Sequence, residues 1–486
     1  MFTLVKEKIK IKEYCSKIYY PFCFSVDDYD AIIKKYSDSN RWEQLIQEDI
    51  QKRRNELLPD VASYLFTECN TNKVSNIGIF KLKDTEELVN DLSEEYEILY
   101  NFKKLKLIDG NNTINFEIEN VEIFVFGNGV GILTFNVNLK NETSNITSPG
   151  RILNFNKIFK VDSSGINNIT LNKNDGSIRT ISLNKVVDTI LSDQISKVLK
   201  SFYEKGFVNF RYVKFENYEN SEEFKNSTFA FLYYLMNMFN ESDSVEILDE
   251  FQHSHIYMPQ GNVVHFFSLK GGGIFVYDNG AKFINNTFKD NIMQNYSIGV
   301  LLALHQRISM LKLSKELTEA FLNTDIKNNK KKNKVMLFKT EKILDKFRNF
   351  TAKCWFREFS NIEGRNDFFK AWQKCFCLDD IFQEMRSKIQ DINEYLRFLD
   401  YQQAEKSRND QNDIMYVITL IFIPLNFFVG FMGMNIQFLK IEELDIKTTL
   451  IYLVVIILIC WLIVGVVWAI KKIKDFLLNR KNDWRL

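Results

Sequence analysis

Two long runs without a charged side chain, residues 414–439 and 448–470, constrain this chain more than any other feature. Each exceeds the ~20 residues a helix needs to cross the hydrocarbon of a bilayer. A buried core helix is rarely apolar on every side for that length, so two adjacent runs predict two membrane helices, 414–434 and 448–470, with a short loop at 435–447. Trp468 with Lys471, Lys472 and Lys474 makes an aromatic and basic edge beyond the second run, and Arg397, Lys406 and Arg408 precede the first. The loop carries Glu442, Glu443 and Asp445 against Lys440 and Lys447. Positive charge at the outer flanks predicts that both termini are cytosolic and that the loop is outside. The N-terminal stretch MFTLVKEKIKIKEY has no apolar core of a secretory signal, so the long first part is expected to stay in the cytosol.

Composition adds exclusions. The 63 Lys+Arg balance 62 Asp+Glu, so net charge does not call for a nucleic acid partner. Seven scattered cysteines are an odd number. Cys375-Phe376-Cys377 lacks the gap of a zinc knuckle, and reduced thiols are the plain reading. No nucleophile–base arrangement, metal-protease helix or nucleotide loop points to an enzyme.

Ahead of the apolar runs, residues 1–285 mix helix and strand periods and predict one α/β or α+β domain, with a mostly helical stretch over residues 1–95. Helical spacing covers 27–36 and 41–66. From Asn111 the period is two: Ile114, Phe116 and Ile118, then Ile123 and Val125, then Leu133, Phe135 and Val137, with Gly127-Asn128-Gly129 as a hairpin turn. A second strand pair, 265–269 and 274–277, is read as joined by a turn at Gly271-Gly272-Gly273. Helices are expected at 186–203 and 222–239, and His253-Ser254-His255 as an ordinary polar strand. Residues 286–413 read as a helical stalk, with helices at 294–322 and 336–357 and a basic solvated link over 327–334.

The last soluble helix is the most informative. Leu378, Phe382, Met385, Ile389, Ile392, Leu396 and Leu399 follow a strict four-three spacing, the mark of packing along another helix. No Gly or Pro interrupts 378–423, so one helix is expected to run into the first apolar segment. Gln403, Lys406, Asp410 and Asp413 continue the same register with polar groups, as if the packed stalk opens into a wet region. Within the apolar run, Asn412, Tyr416, Thr419, Ile423, Asn426, Gly430 and Gly433 share one polar or small face, opposite Ile421, Leu425, Phe428 and Phe431. Asn426 near mid-membrane is costly against lipid and should face protein or water. Such a face suits either pore lining or close helix packing. Two helices cannot enclose a pore, so the pore reading requires a ring of subunits.

Phe422-Ile423-Pro424-Leu425-Asn426, then Gly430 and Gly433-Met434-Asn435, followed by an acidic loop and one more apolar run, resembles the C-terminal membrane part of CorA-type magnesium transporters. The resemblance covers about residues 405–475. It implies a symmetric, funnel-shaped homopentamer in a bacterial inner membrane, with Mg²⁺ (or Co²⁺ or Ni²⁺) as cargo, Mg²⁺ as regulatory ion and no cofactor. Gly433, Met434 and Asn435 would form the selective outer mouth. The pore would be lined by Asn409, Asn412, Met415, Tyr416, Thr419, Ile423, Asn426 and Gly430. Asn435 would hold a hydrated cation through its water shell, which suits an ion that dehydrates reluctantly. Glu442, Glu443 and Asp445 would attract cations to the mouth. Lys471, Lys472 and Lys474 resemble a basic collar at the inner end. Asp379, Asp380, Glu384 and Asp391 are candidates by type for regulatory metal binding, against the plainer reading of a solvated helix face.

Two other readings stay open from the sequence. One is a zinc transporter of the ZntB type, which shares the Gly-X-Asn theme. The other is a membrane-anchored metal-sensing or interaction domain without transport, suggested by the large N-terminal part.

Overall fold

The structure is a computed structural model. It describes residues 9–45, 47–66, 77–83, 106–109, 112–139, 148–157, 159, 168–172, 178–191, 206–216, 219, 221–239, 256–322 and 330–433, with short helical pieces between 447 and 466. Two compact units divide the chain, Met1–Ile389 and Gln390–Leu486.

The first unit runs β1 (Ile11–Cys23), α1 (Tyr29–Ser37), β2 (Trp42–Gln44), α2 (Gln47–Arg54), α3 (Pro59–Leu65), β3 (Ile77–Leu82), β4 (Lys106–Asp109), β5 (Asn112–Phe126) and β6 (Val130–Leu139). It continues through α4 (Pro149–Lys157), β7 (Asn168–Asn172), β8 (Ile178–Ser182), α5 (Leu183–Leu191), β9 (Val208–Phe215), α6 (Glu222–Asn237), β10 (Ile256–Gln260), β11 (Val263–Ser268) and β12 (Gly271–Tyr277). Short α7 (Lys282–Asn286) and α8 (Phe288–Asn291) then lead through a π-helical turn, Ile292–Tyr296, into α9 (Ser297–Leu322), α10 (Lys330–Cys354), α11 (Glu363–Cys375) and α12 (Leu378–Gly433).

Among the described residues one large sheet has the order β10-β11-β12-β9-β1-β6-β5-β3-β2, with β4 paired on β5. Its pairs are antiparallel except β9 with β12. Helices cover both faces. On one, Ile18, Phe135, Val213 and Phe215 join Ile152 and Phe155 of α4 and Phe231 and Leu235 of α6 in the main core. Side chains alternate along a strand, so the neighbours of Ile18 on β1 serve the other face. There the Tyr19 hydroxyl donates to the Ser297 carbonyl at 2.8 Å, and Phe210 meets Phe368 of α11 edge-on at 5.7 Å. The mixed α/β expectation for this region therefore holds.

The strand at the centre of the sheet is where the reading of 1–95 as mostly helical fails. β1 lies between β6 and β9 and is buried on both faces. A strand covered on both sides shows no clean alternation, so its period-two signal is lost. The helical reading of 41–66 also divides: β2 comes first, then α2, then α3, which starts at Pro59. A proline is tolerated at a first helical position but ends a helix that precedes it.

The hairpin at Gly127-Asn128-Gly129 is present between β5 and β6, and Gly129 takes a φ of +81°. Lys312 of α9 locks this turn, its ammonium donating to the carbonyls of Phe24 and Asn128 at 2.9 Å and of Gly129 at 3.1 Å.

Gly271, Gly272 and Gly273 are not a turn. They open β12, and the turn is at 269–270. A side chain at Gly272 would meet the Phe266 carbonyl and the Trp372 ring, at 2.3 and 2.9 Å, so the bare strand is what lets Trp372 pack down fully buried.

The helix expected at 222–239 forms as α6, started by Ser221, whose Oγ accepts from the Phe224 amide. Lys330 to Lys334 of the basic run are not a link but the first turns of α10. His253 and His255 lie outside the described residues.

Candidate functional site

The uninterrupted helix expected from Leu378 is α12, which starts in the first unit and ends at Gly433 in the second. Its first turns are held in the first unit by the apolar stripe: Leu378, Met385 and Ile389 are buried, and Phe382 stacks on Trp355.

In the second unit the polar face falls on α12. Asn409, Asn412, Met415, Tyr416, Thr419, Ile423, Asn426 and Gly430 are all helical and exposed. The Thr419 hydroxyl donates to the Met415 carbonyl at 2.7 Å, as a threonine on a helix can do at no cost in exposed donors. No atom lies within 4 Å of a side chain built at Gly430. Ile423 on the polar face is 61% exposed and Ile421 on the opposite side 53%, so among the described residues neither face is covered. Exposed apolar side chains grouped in this way mark contact with a membrane or a partner.

Among the described residues no helix is long and apolar enough to cross a membrane. The first apolar run is helical as far as Gly433, and the second is described only in short helical pieces. Met434, Asn435, Glu442, Glu443, Asp445, Lys471, Lys472 and Lys474 lie outside the described residues.

Asp379, Asp380, Glu384 and Asp391 are exposed on the early turns of α12, and Glu384 pairs with Lys388 one turn on. Among the described residues no group of three or more His, Cys, Asp or Glu side chains is placed to hold a metal.

A second constellation has no counterpart in the sequence reading. Lys17 on β1, Glu122 on β5 and Arg53 on α2 meet on the sheet face that carries Tyr19. The Arg53 guanidinium donates to Glu122 Oε1 at 2.6 Å, and the Lys17 ammonium lies 3.6 Å from Oε2. Burial pushes the Glu122 carboxyl up, but the two cations outweigh it and hold it at about 2. Burial also lowers Lys17, against the pull of Glu122. Each residue alone reads as an ordinary charged position, and only the strand register and α2 bring them together.

Residues 373–472 match the family model described as CorA-like Mg²⁺ transporter protein. The matched stretch includes both apolar runs and all of α12. Among solved structures the chain is similar to the full-length CmaX protein, at 11% identity and a TM-score of 0.18, over 59% of this chain and 93% of that one. No curated protein matches the chain.

Proposed function

We propose that this protein conducts hydrated divalent cations, Mg²⁺ first among them, across a bacterial inner membrane. Five copies surround one pore, and α12 of each copy lines it. The observation that carries this reading is the uncovered face of α12 inside the matched transporter domain. Asn409, Asn412, Thr419 and Asn426 recur on that face at helical spacing, and each is exposed among the described residues. A plain anchor gains nothing from asparagines at membrane depth, where they are costly against lipid. Facing other copies across water, the same amides accept hydrogen bonds from the hydration shell of the ion without stripping it. The apolar sides of α12, with Ile421 and Leu425, are left for lipid and for neighbouring helices.

In this reading Gly433, Met434 and Asn435 form the outer mouth, the acidic loop gathers cations, and Lys471, Lys472 and Lys474 ring the inner end. Both termini are cytosolic. The test is growth of cells stripped of their own magnesium transporters in low Mg²⁺. Expression of this chain is expected to restore growth; failure to restore it, with the protein present in the membrane fraction, contradicts the proposal.

A further inference from the structure

The Lys17–Glu122–Arg53 constellation is the inner wall of a cavity of about 260 Å³ in the first unit, between the sheet and the layer formed by α2 and the π-helical turn. Strand register builds its floor. Lys17 pairs with Asn136 and Asn136 with Asn120; Thr134 pairs with Glu122 and Glu122 with Lys81. A row of polar side chains therefore crosses four strands of a sheet whose neighbouring positions on that face are Tyr19, Phe210 and Tyr212. Folding does not require this. Burying such groups costs free energy unless each is fully partnered.

They are not fully partnered. The innermost three groups hold two cations against one carboxylate, and Lys81 adds its field from β3. The rest of the lining adds Lys52, Asp49 and Glu56, and Glu56 is already paired with Arg365. The excess charge is a single positive one and calls for an anion. Two buried acceptors meanwhile keep capacity to spare: Glu122 Oε2 has the Lys17 ammonium only at 3.6 Å, and Asn136 Oδ1 has no hydrogen-bond donor among the described residues. They call for hydroxyl or amino hydrogens. The π-helical turn, pinned to the sheet by the Tyr19–Ser297 hydrogen bond, closes one side. Such turns recur at functional sites because they distort a helix at a cost.

We infer that this cavity binds a small phosphate monoester that also carries hydroxyl groups. The phosphate would lie against Arg53 and Lys81, where charge-assisted and bidentate hydrogen bonds are strongest. The hydroxyls would donate to Glu122 and Asn136. Pockets for drug-sized ligands begin at about 300 Å³, so the volume suits a three- to six-carbon sugar or polyol phosphate and not a dinucleotide.

The experiment is calorimetric titration of the full-length protein in detergent with glycerol 3-phosphate, inorganic phosphate and glycerol. Glycerol 3-phosphate is expected to bind at least tenfold more tightly than either of the others. Lys81→Met removes a cation at the rim and leaves the buried trio intact, and Asn136→Leu removes one acceptor. Each is expected to weaken glycerol 3-phosphate at least tenfold, with a cooperative thermal transition retained. Absence of binding to the folded wild type overturns the inference and leaves a water-filled structural cavity. Binding that both variants leave unchanged overturns it equally, and equal binding of inorganic phosphate removes the role given to Glu122 and Asn136.

Discussion

Phe382 lies in a stacked arrangement on Trp355, with ring centroids 4.6 Å apart and planes inclined by 29°. Phe347 of α10 adds a second aromatic contact to Phe382 at 5.6 Å. This cluster grips α12 just after it begins, so the helix that carries the proposed ion path starts from a packed base. Phe382→Ala removes the ring from both partners. Because Phe382 is half-buried, the loss is expected at about 2 kcal/mol, below the range for a fully buried phenylalanine. Thermal unfolding followed by circular dichroism checks it; an unchanged midpoint would show that the cluster does not hold the helix base.

Lys312 offers a sharper structural test. Its ammonium is a tethered cation among three carbonyls, two of them in the β5–β6 turn. Lys312→Met keeps the length of the stem but takes the ammonium donor from all three carbonyls, of which Gly129 keeps the Phe24 amide. Charged hydrogen bonds contribute about 1.5–3 kcal/mol each, and the three share one donor. The variant is expected to lose at least about 2 kcal/mol and to expose the 127–129 turn to faster amide exchange, whereas a wild-type exchange rate would remove the clamp from the account.

Acid sensitivity should come largely from groups held in unusual states by burial. His265 packs edge-on against Phe368 at 5.3 Å, and burial lowers its imidazole to about 4. Burial likewise lowers His305, to about 3. An unfolded histidine takes a proton near pH ~6.5, so the unfolded chain binds more protons below that value and stability falls as pH drops from ~6.5 toward 4. Glu122 acts lower: its folded carboxylate stays ionised to about 2, so its contribution is present above pH ~4.5 and is lost between there and 2. His265→Phe suits the aromatic surroundings and removes one titrating group. Melting temperatures measured from pH 7 to 5 should fall less steeply in this variant than in wild type. An identical slope would mean that His265 is already protonated or solvated in the folded protein.

What the sequence made legible follows from which signals are local. The stripe from Leu378 and the lack of Gly or Pro over 378–423 announced the start of α12 and its unbroken course into the first apolar run. The alternation of Leu133, Phe135 and Val137 beside Gly127-Asn128-Gly129 announced the β5–β6 hairpin. β1 was hidden because both of its faces are buried. Gly271-Gly272-Gly273 misled because glycine marks a close approach as readily as a turn, and the approaching group, Trp372, is far along the chain. Lys17, Arg53 and Glu122 were illegible for the same reason. On its own strand or helix each reads as a solvated charge, and the contact that changes its meaning is made only by the tertiary fold.

The most direct test of ion conduction is flux into proteoliposomes, measured in parallel for Mg²⁺, Co²⁺, Ni²⁺ and Zn²⁺. The wild-type protein is predicted to admit Mg²⁺ down its gradient, and Asn435→Ala to abolish that flux while the purified oligomer keeps its mass. Absence of flux for all four ions in the reconstituted wild type, or undiminished Mg²⁺ entry through Asn435→Ala, would contradict the account.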